Sequence, residues 1–258
     1  MTVELSIIPC LSDNYAYLLH DTVSATTTLI DVPEAKPVLD ALQAAQYSLD
    51  TILLTHHHDD HIAGVAEVVA ATGAKVIGAA ADRHRLPPLD QAVTPALSFT
   101  LGAAEIEVEV IDVPGHTVGH VAYYLPAQGL LFTGDSLMAW GCGRLFEGTP
   151  EQMFDSLSRL AALPDEVLVC SGHEYTLSNG RFALSLEPEN ADLLARMADT
   201  QDSRDNGDPT VPSSLGLEKA TNPFLRSTSA ELRKTLGLDA SATNLAVFAA
   251  ARAAKDRF

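Results

Sequence analysis

The chain has 258 residues, 47% hydrophobic and 19% charged, with 34 acidic against 16 basic side chains and a formal net charge of −18. That length and apolar content suffice for one large domain, or one domain with a smaller companion. The acidic balance argues against non-specific attraction to nucleic acid or to an anionic membrane. Short β-rich runs between turn signals predict strands over 5–8, 15–19, 28–32, 51–54, 75–77, 105–113, 121–125, 130–132 and 167–169. In 105–110 the Ile and Val side chains alternate with glutamates, so one face is apolar and the other solvated. Helices are predicted over 34–43, over 62–71 with Gly73 placed to stop it, and over 151–162 behind a Thr149-Pro150 start. Two sheets with outer helices fit this pattern. After Tyr175 the strand signals cease: 190–199, 230–236 and 242–254 read as helices, and 202–209 as a loop. The expected division is a domain over 1–175 and a helical domain over 176–258.

Cys10, Cys142 and Cys170 are odd in number and widely spaced, which suggests packing roles and a reducing compartment rather than a disulfide framework. The opening MTVELSIIPC lacks a basic segment followed by a long apolar one, and no apolar run approaches a membrane span of about 18 residues. A cytoplasmic monomer is the expectation.

Directly after the apolar run Ile52-Leu53-Leu54 stands Thr55-His56-His57-His58-Asp59-Asp60-His61, which holds the pattern His-x-His-x-Asp-His. Imidazoles suit zinc, iron or manganese, and a carboxylate adds a hard charged ligand, so this mixture points to a hydrolytic divalent-metal centre and not a thiolate structural site. A solvated histidine-rich loop is the bland alternative for any single His-x-His. Further candidates weigh against it: His116 in Pro114-Gly115-His116, Asp135 in Thr133-Gly134-Asp135 and His173 in Ser171-Gly172-His173. Each follows a glycine where a strand should end, and glycine permits the sharp turn that aims the next side chain into a shared cleft.

The order His-x-His-x-Asp-His, Gly-His, Gly-Asp, Gly-His resembles that of the metallo-β-lactamase superfamily. The resemblance implies an α+β fold, a four-layer αββα sandwich, followed here by a small helical carboxy-terminal domain. It also implies that His56, His58 and His116 hold one metal, that Asp60, His61 and His173 hold the other, and that Asp135 bridges the two. His57 and Asp59 fall at the x positions. The implied cofactors are two divalent ions, zinc first, with iron or manganese as alternatives.

Finer motifs resemble the hydroxyacylglutathione hydrolase (glyoxalase II) family over the whole chain: Ile8 to Tyr15, Gly141-Cys142-Gly143-Arg144-Leu145-Phe146, His173-Glu174-Tyr175, Lys219 to Arg226, and Arg252-Ala253-Ala254-Lys255-Asp256. That family cleaves S-(2-hydroxyacyl)glutathione through a hydroxide shared by the two metals, with D-lactate and glutathione as products in methylglyoxal detoxification. The resemblance makes Asp60 and Asp135 the catalytic carboxylates. It makes Arg144, Phe146, Tyr175, Arg252 and Lys255 the glutathione-binding residues, the last two holding the glycine carboxylate. Independently, Arg252 and Lys255 stand three apart and are neighbours on a helix, a paired cationic patch in an acidic chain. Animal members of the family carry Lys and Tyr at the positions of Arg144 and Phe146; Phe146 offers no hydroxyl to the tripeptide. Two other readings stay open, a sulfur dioxygenase or lactonase on the same fold and a non-catalytic metal-binding module. Metal stoichiometry and anaerobic thioester cleavage separate them.

Overall fold

The computed structural model describes residues 3–258; Met1 and Thr2, with which the amino-terminal reading above begins, lie outside the described residues. The chain divides into two compact units. One runs to Asp112 and takes in Gly119–Gly134; the other comprises Val113–Val118 and Asp135–Phe258.

The first unit opens with β1 (Val3–Cys10), β2 (Asn14–Asp21) and β3 (Thr26–Ile30), paired antiparallel, and continues with β4 (Thr51–Leu53), β5 (Lys75–Ala79) and β6 (Gln91–Val93), paired parallel in the same sheet. Parallel neighbours need crossover connections. Helix α1 (Ala35–Ala45) makes one, and α2 (Asp59–Ile62) with α3 (Val65–Thr72) makes the next. Val38 and Leu42 of α1 and Val65 and Val68 of α3 pack with Ile8, Leu18, Ile52, Leu54 and Val76 in one buried cluster.

The single helix predicted over 62–71 is interrupted at Gly64. A Cβ there would stand 2.6 Å from the Ala35 nitrogen, so only glycine lets this corner approach the start of α1. Gly73 ends α3 in the left-handed region, as its sequence position suggested.

The same unit holds an antiparallel meander, β7 (Ser98–Leu101), β8 (Ile106–Asp112), β9 (Val121–Leu125) and β10 (Leu130–Gly134). In β8, Val108 and Val110 are buried and Glu107 and Glu109 exposed, the alternation read from the sequence. Tyr17 of β2 meets Phe132 of β10 edge-on at 5.5 Å, both buried, so the meander packs against the first sheet. Tyr123 of β9 donates its hydroxyl to the Leu54 carbonyl at 2.9 Å. Burial and the nearby Asp31 carboxylate push that phenol far above its ordinary range.

The second unit begins with a short ribbon, β11 (Leu137–Met138) and β12 (Gly141–Cys142). Helix α4 (Pro150–Ala161) starts with a reciprocal cap between Thr149 and Gln152 and with proline at its first position. Then come β13 (Leu168–Ser171), α5 (Thr176–Leu186), α6 (Ala191–Asp205), β14 (Ser213–Ser214), α7 (Leu215–Thr221), α8 (Ala230–Thr235) and α9 (Asn244–Lys255).

Three readings of this tail need correction. Strands do not cease at Tyr175, because β14 pairs with β13. Helix α6 runs on to Asp205, into the stretch expected to be loop. Helices α5 and α7 were not foreseen. In α5 the run Ser178-Asn179-Gly180 weakens helix propensity, and burial of Phe182, Ala183 and Leu186 overrides it. The three cysteines are unbridged and buried, and burial raises the Cys10 thiol to about 11. Among the described residues no helix is long and apolar enough to cross a membrane.

Candidate functional site

In the first unit the histidine-rich run leaves β4 at Leu53 and enters α2 at Asp59. Because β3 and β4 are parallel neighbours, the residues past their carboxyl ends emerge side by side. Past β3 comes Asp31, a non-glycine residue in left-handed backbone (φ 57°). Its carboxylate accepts the Thr55 backbone N–H at 2.9 Å, the Thr55 hydroxyl at 2.8 Å and His61 Nδ1 at 2.8 Å. Next door, Val32 donates its N–H to the His61 carbonyl at 2.7 Å and accepts from Gly64 at 2.9 Å. Two consecutive residues thus pin both ends of the run.

These bonds fix tautomers. A carboxylate only accepts, so His61 carries its proton on Nδ1. The Thr55 hydroxyl spends its hydrogen on Asp31, so its oxygen accepts from His56 Nδ1, 3.0 Å away. In both rings Nε2 is left as the nitrogen with a lone pair. His56 Nε2 stands 3.2 Å from His58 Nδ1, and candidate ligand atoms of the pairs His56–His61 and Asp60–His61 lie within 4.8 Å of each other. Asn14 donates to the Asp60 carbonyl at 2.9 Å and to its carboxylate at 3.2 Å. His57, at an x position, faces elsewhere: its Nδ1 is 2.8 Å from the buried Asp82, which Arg85 also holds. His120 stacks on His56 with ring centres 4.6 Å apart.

In the second unit, buried Asp135 places Oδ2 3.5 Å from His116 Nε2 and 3.2 Å from His173 Nε2. His116 Nδ1 donates to the Arg144 carbonyl at 2.8 Å, which again presents Nε2. The approach demands glycine at 143, where a Cβ would lie 2.0 Å from the Asp135 carbonyl oxygen and 2.8 Å from His116 Nδ1. His173 stacks face to face on Tyr175 at 4.6 Å, and Phe146 sets its ring 5.4 Å from that of His116. Both aromatic side chains are exposed.

The two cations of α9 differ more than their spacing suggests. Arg252 is 6% exposed; one guanidinium nitrogen donates to the Cys142 carbonyl at 2.9 Å, another to Asp256 at 2.9 Å, and the group lies 5.2 Å from the centre of the Phe224 ring. Lys255 is half-buried, its ammonium 5.1 Å from the Phe182 ring centre and 5.3 Å from that of Phe258. Burial, and then the Arg252 charge, draw its pKa below the ordinary lysine value. Arg144 has its side chain 60% exposed, 3.7 Å from Asp256.

The donor sets fit divalent cations. Two nitrogens at 2.0–2.1 Å from one tetrahedral ion stand about 3.4 Å apart, close to the 3.2 Å of His56 and His58 and to the 3.2 and 3.5 Å from Asp135 to His173 and His116. An imidazole held at Nδ1 by a carboxylate or carbonyl is also the usual arrangement behind a metal-ligating histidine. Sequence reasoning gave no role to Asp31, Asn14 or Asp256. Asp31 was read as part of a strand over 28–32, whereas β3 ends at Ile30, and only the pairing of β3 with β4 shows what Asp31 touches.

Comparison with known proteins agrees with this architecture. A family model described as the metallo-beta-lactamase superfamily matches residues 16–173, and one described as the hydroxyacylglutathione hydrolase C-terminus matches residues 174–258. A protein of Rhodobacter capsulatus named hydroxyacylglutathione hydrolase is 62% identical over 258 residues, all of both chains. Among solved structures, the BLEG-1 B3 metallo-beta-lactamase shares the fold, with TM-score 0.67 and 24% identity over 86% of this chain and 100% of its own. TTHA1623, solved in a di-iron-bound form, aligns with TM-score 0.62 and 26% identity, again over 86% of this chain and 100% of its own. The chain has the metallo-beta-lactamase fold with a helical carboxy-terminal region, and it belongs to the hydroxyacylglutathione hydrolase family.

Proposed function

We propose that this chain hydrolyses S-(2-hydroxyacyl)glutathione thioesters, S-D-lactoylglutathione foremost, to a 2-hydroxy acid and glutathione, a step of methylglyoxal detoxification. The observation that carries the reading is the continuity of donors and substrate candidates in the second unit. His116 bonds the Arg144 backbone and faces Phe146, and His173 stacks on Tyr175. A thioester whose carbonyl sits at the donors therefore has its tripeptide beside these side chains. Residues 1–175 are the proposed catalytic domain and 176–258 the proposed substrate-binding domain, working as a cytoplasmic monomer.

His56, His58 and His116 would hold one ion, Asp60, His61 and His173 a second, and Asp135 both, with zinc the first choice. TTHA1623 in its di-iron form supports a two-ion count on this fold. When bound, a pair of divalent cations brings the pKa of water toward neutrality and polarises the thioester carbonyl. Asp60 or Asp135 accepts the proton given up by water. The buried imidazoles exclude bulk solvent and keep their Nε2 atoms aimed by Asp31, Thr55 and the Arg144 carbonyl. Glutathione leaves as a thiolate of ordinary pKa about 8.5, so no strong general acid is required. Tyr175, Arg144 and Phe146 take the tripeptide, and Lys255 and Arg252 its terminal carboxylate. Phe146 provides area without a hydroxyl, which at about 0.5–1.5 kcal/mol for one hydrogen bond weakens binding several-fold.

The test is a steady-state assay with S-D-lactoylglutathione, without oxygen, on protein of measured metal content. Turnover with two ions per chain is expected. No cleavage of this thioester by the metal-loaded protein would refute the proposal, and one iron with an oxygen requirement would move it to a dioxygenase.

Two variants extend the test. Lys255→Ala should raise KM several-fold, with kcat and metal content unchanged. Since the folded environment lowers the ammonium pKa, wild-type KM should also climb at an alkaline pH below that of an ordinary lysine, and this limb should be absent in the variant. Asp31→Ala removes the acceptor of His61 Nδ1 and Thr55, and is expected to weaken metal binding roughly 10- to 100-fold in a chelator competition. An unaltered affinity would show that Asp31 does not orient the ligands.

A further inference from the structure

We propose that Asp256 is a positioning residue for substrate binding: its carboxylate lies between Arg144 and Arg252 and holds the exposed guanidinium where it meets the anionic tripeptide. The inference rests on the proposed function and adds a residue to its binding side. Asp256 Oδ1 accepts from Arg252 at 2.9 Å and stands 3.7 Å from Arg144 Nε. The two arginines play unequal parts. Arg252 is buried and held on its other side by the Cys142 carbonyl and the Phe224 ring, so it is the less mobile of the two. Arg144 is a long, exposed side chain, tethered at Asp256 and at the face of Phe146, 5.9 Å away.

Without a carboxylate between them, two like charges repel, and Arg144 is the one able to swing away. Holding it in advance reduces the conformational entropy lost when an anion binds. Asp256 is the C-cap of α9, where the carbonyl ends of the helix disfavour negative charge, an effect of the same order as the i,i+4 pair it makes with Arg252. An alternative role, competition with the substrate carboxylate for the same cations, predicts the opposite sign when the charge is removed.

The experiment compares wild type, Asp256→Asn and Asp256→Glu, with Asp40→Asn on the exposed face of α1 as a control for net charge. KM and kcat for S-D-lactoylglutathione are measured, together with calorimetric binding of S-hexylglutathione, a thioether that cannot be hydrolysed. Asp256→Asn is expected to raise KM about two- to fivefold and to weaken S-hexylglutathione by a similar factor, the size expected from loosening one exposed ion pair. Metal content and kcat should stay put, Asp256→Glu should recover most of the loss, and Asp40→Asn should change nothing. An unchanged or lowered KM in Asp256→Asn overturns the proposal, as does failure of Asp256→Glu to recover. Should Asp256→Asn fail to fold, Arg144→Ala at the exposed partner must give the same rise in KM, and an unchanged KM there overturns it equally. Wild-type protein that does not cleave the thioester refutes the proposed function; cleavage by wild type with an indistinguishable Asp256→Asn removes Asp256 alone.

Discussion

Asp135→Ala is expected to strip metal from the protein and to lower kcat for S-D-lactoylglutathione by at least about 10³-fold, since losing roughly 4 kcal/mol of charge stabilisation corresponds to that factor. The Asp135 carboxylate is buried. Its Oδ2 stands within 3.5 Å of two imidazole nitrogens, His116 Nε2 and His173 Nε2. The backbone that carries it is held tightly, because Gly143 packs against its carbonyl. Replacement with alanine leaves two imidazoles without the anion that faces them. Asp135→Asn keeps the shape and removes the charge, and is expected to retain part of the metal with little turnover. Elemental analysis beside the steady-state rate checks both variants. Full metal occupancy in Asp135→Ala would remove this residue from the proposed ligand set.

Glu218→Ala should give the largest loss of stability, about 3–5 kcal/mol, the usual consequence of leaving a buried charge unpaired. Glu218 is fully buried on α7. It pairs with Arg196, itself buried and lying 4.2 Å from the centre of the Trp140 ring. It also accepts from the Trp140 backbone at 2.9 Å, from the Ser213 hydroxyl at 2.6 Å and from Asn222 at 3.1 Å. Trp140 sits in left-handed backbone (φ 53°) at the turn between β11 and β12, an unfavourable place for so large a residue. The bond from its N–H to Glu218 helps hold it there. Asn222 adds bonds to the carbonyls of Met138 and Gly141 at 3.0 Å each, closing the network around the ribbon. For a chain of this size the midpoint of thermal unfolding should fall by roughly 10 °C. Glu218→Gln, which keeps an acceptor of the same shape, should fall less. Calorimetry decides, and equal melting of Glu218→Ala and wild type would show that Arg196 finds another partner. Because β12 carries the Cys142 carbonyl that anchors Arg252, Glu218→Ala should also raise KM more than it lowers kcat.

Part of this molecule was legible from residue order because the information was local. The alternation in 105–110 became β8, with its valines inward. Thr149-Pro150 with Gln152 became the capped start of α4, and the apolar runs became the inner strands. The run His-x-His-x-Asp-His was legible for the same reason, since it concentrates candidate donors within a single loop and helix start.

Other features follow from contacts between distant segments, which no local pattern encodes. Asp31 reaches Thr55 and His61 only because β3 and β4 run parallel. The helix predicted over 62–71 breaks because Gly64 must pass the backbone at the start of α1. Helix α5, poor in local propensity, forms because its apolar face is buried. Arg252 and Lys255, adjacent cations by spacing, were parted by packing: Cys142, Phe224 and Asp256 enclose the first, while two aromatic rings partly cover the second. By itself the sequence determined which residues can donate to a metal or a carboxylate, since that is a property of each side chain and its immediate spacing. Tautomer, burial and charge pairing were decided by the tertiary structure, because each depends on what a neighbour far along the chain brings within a few ångströms.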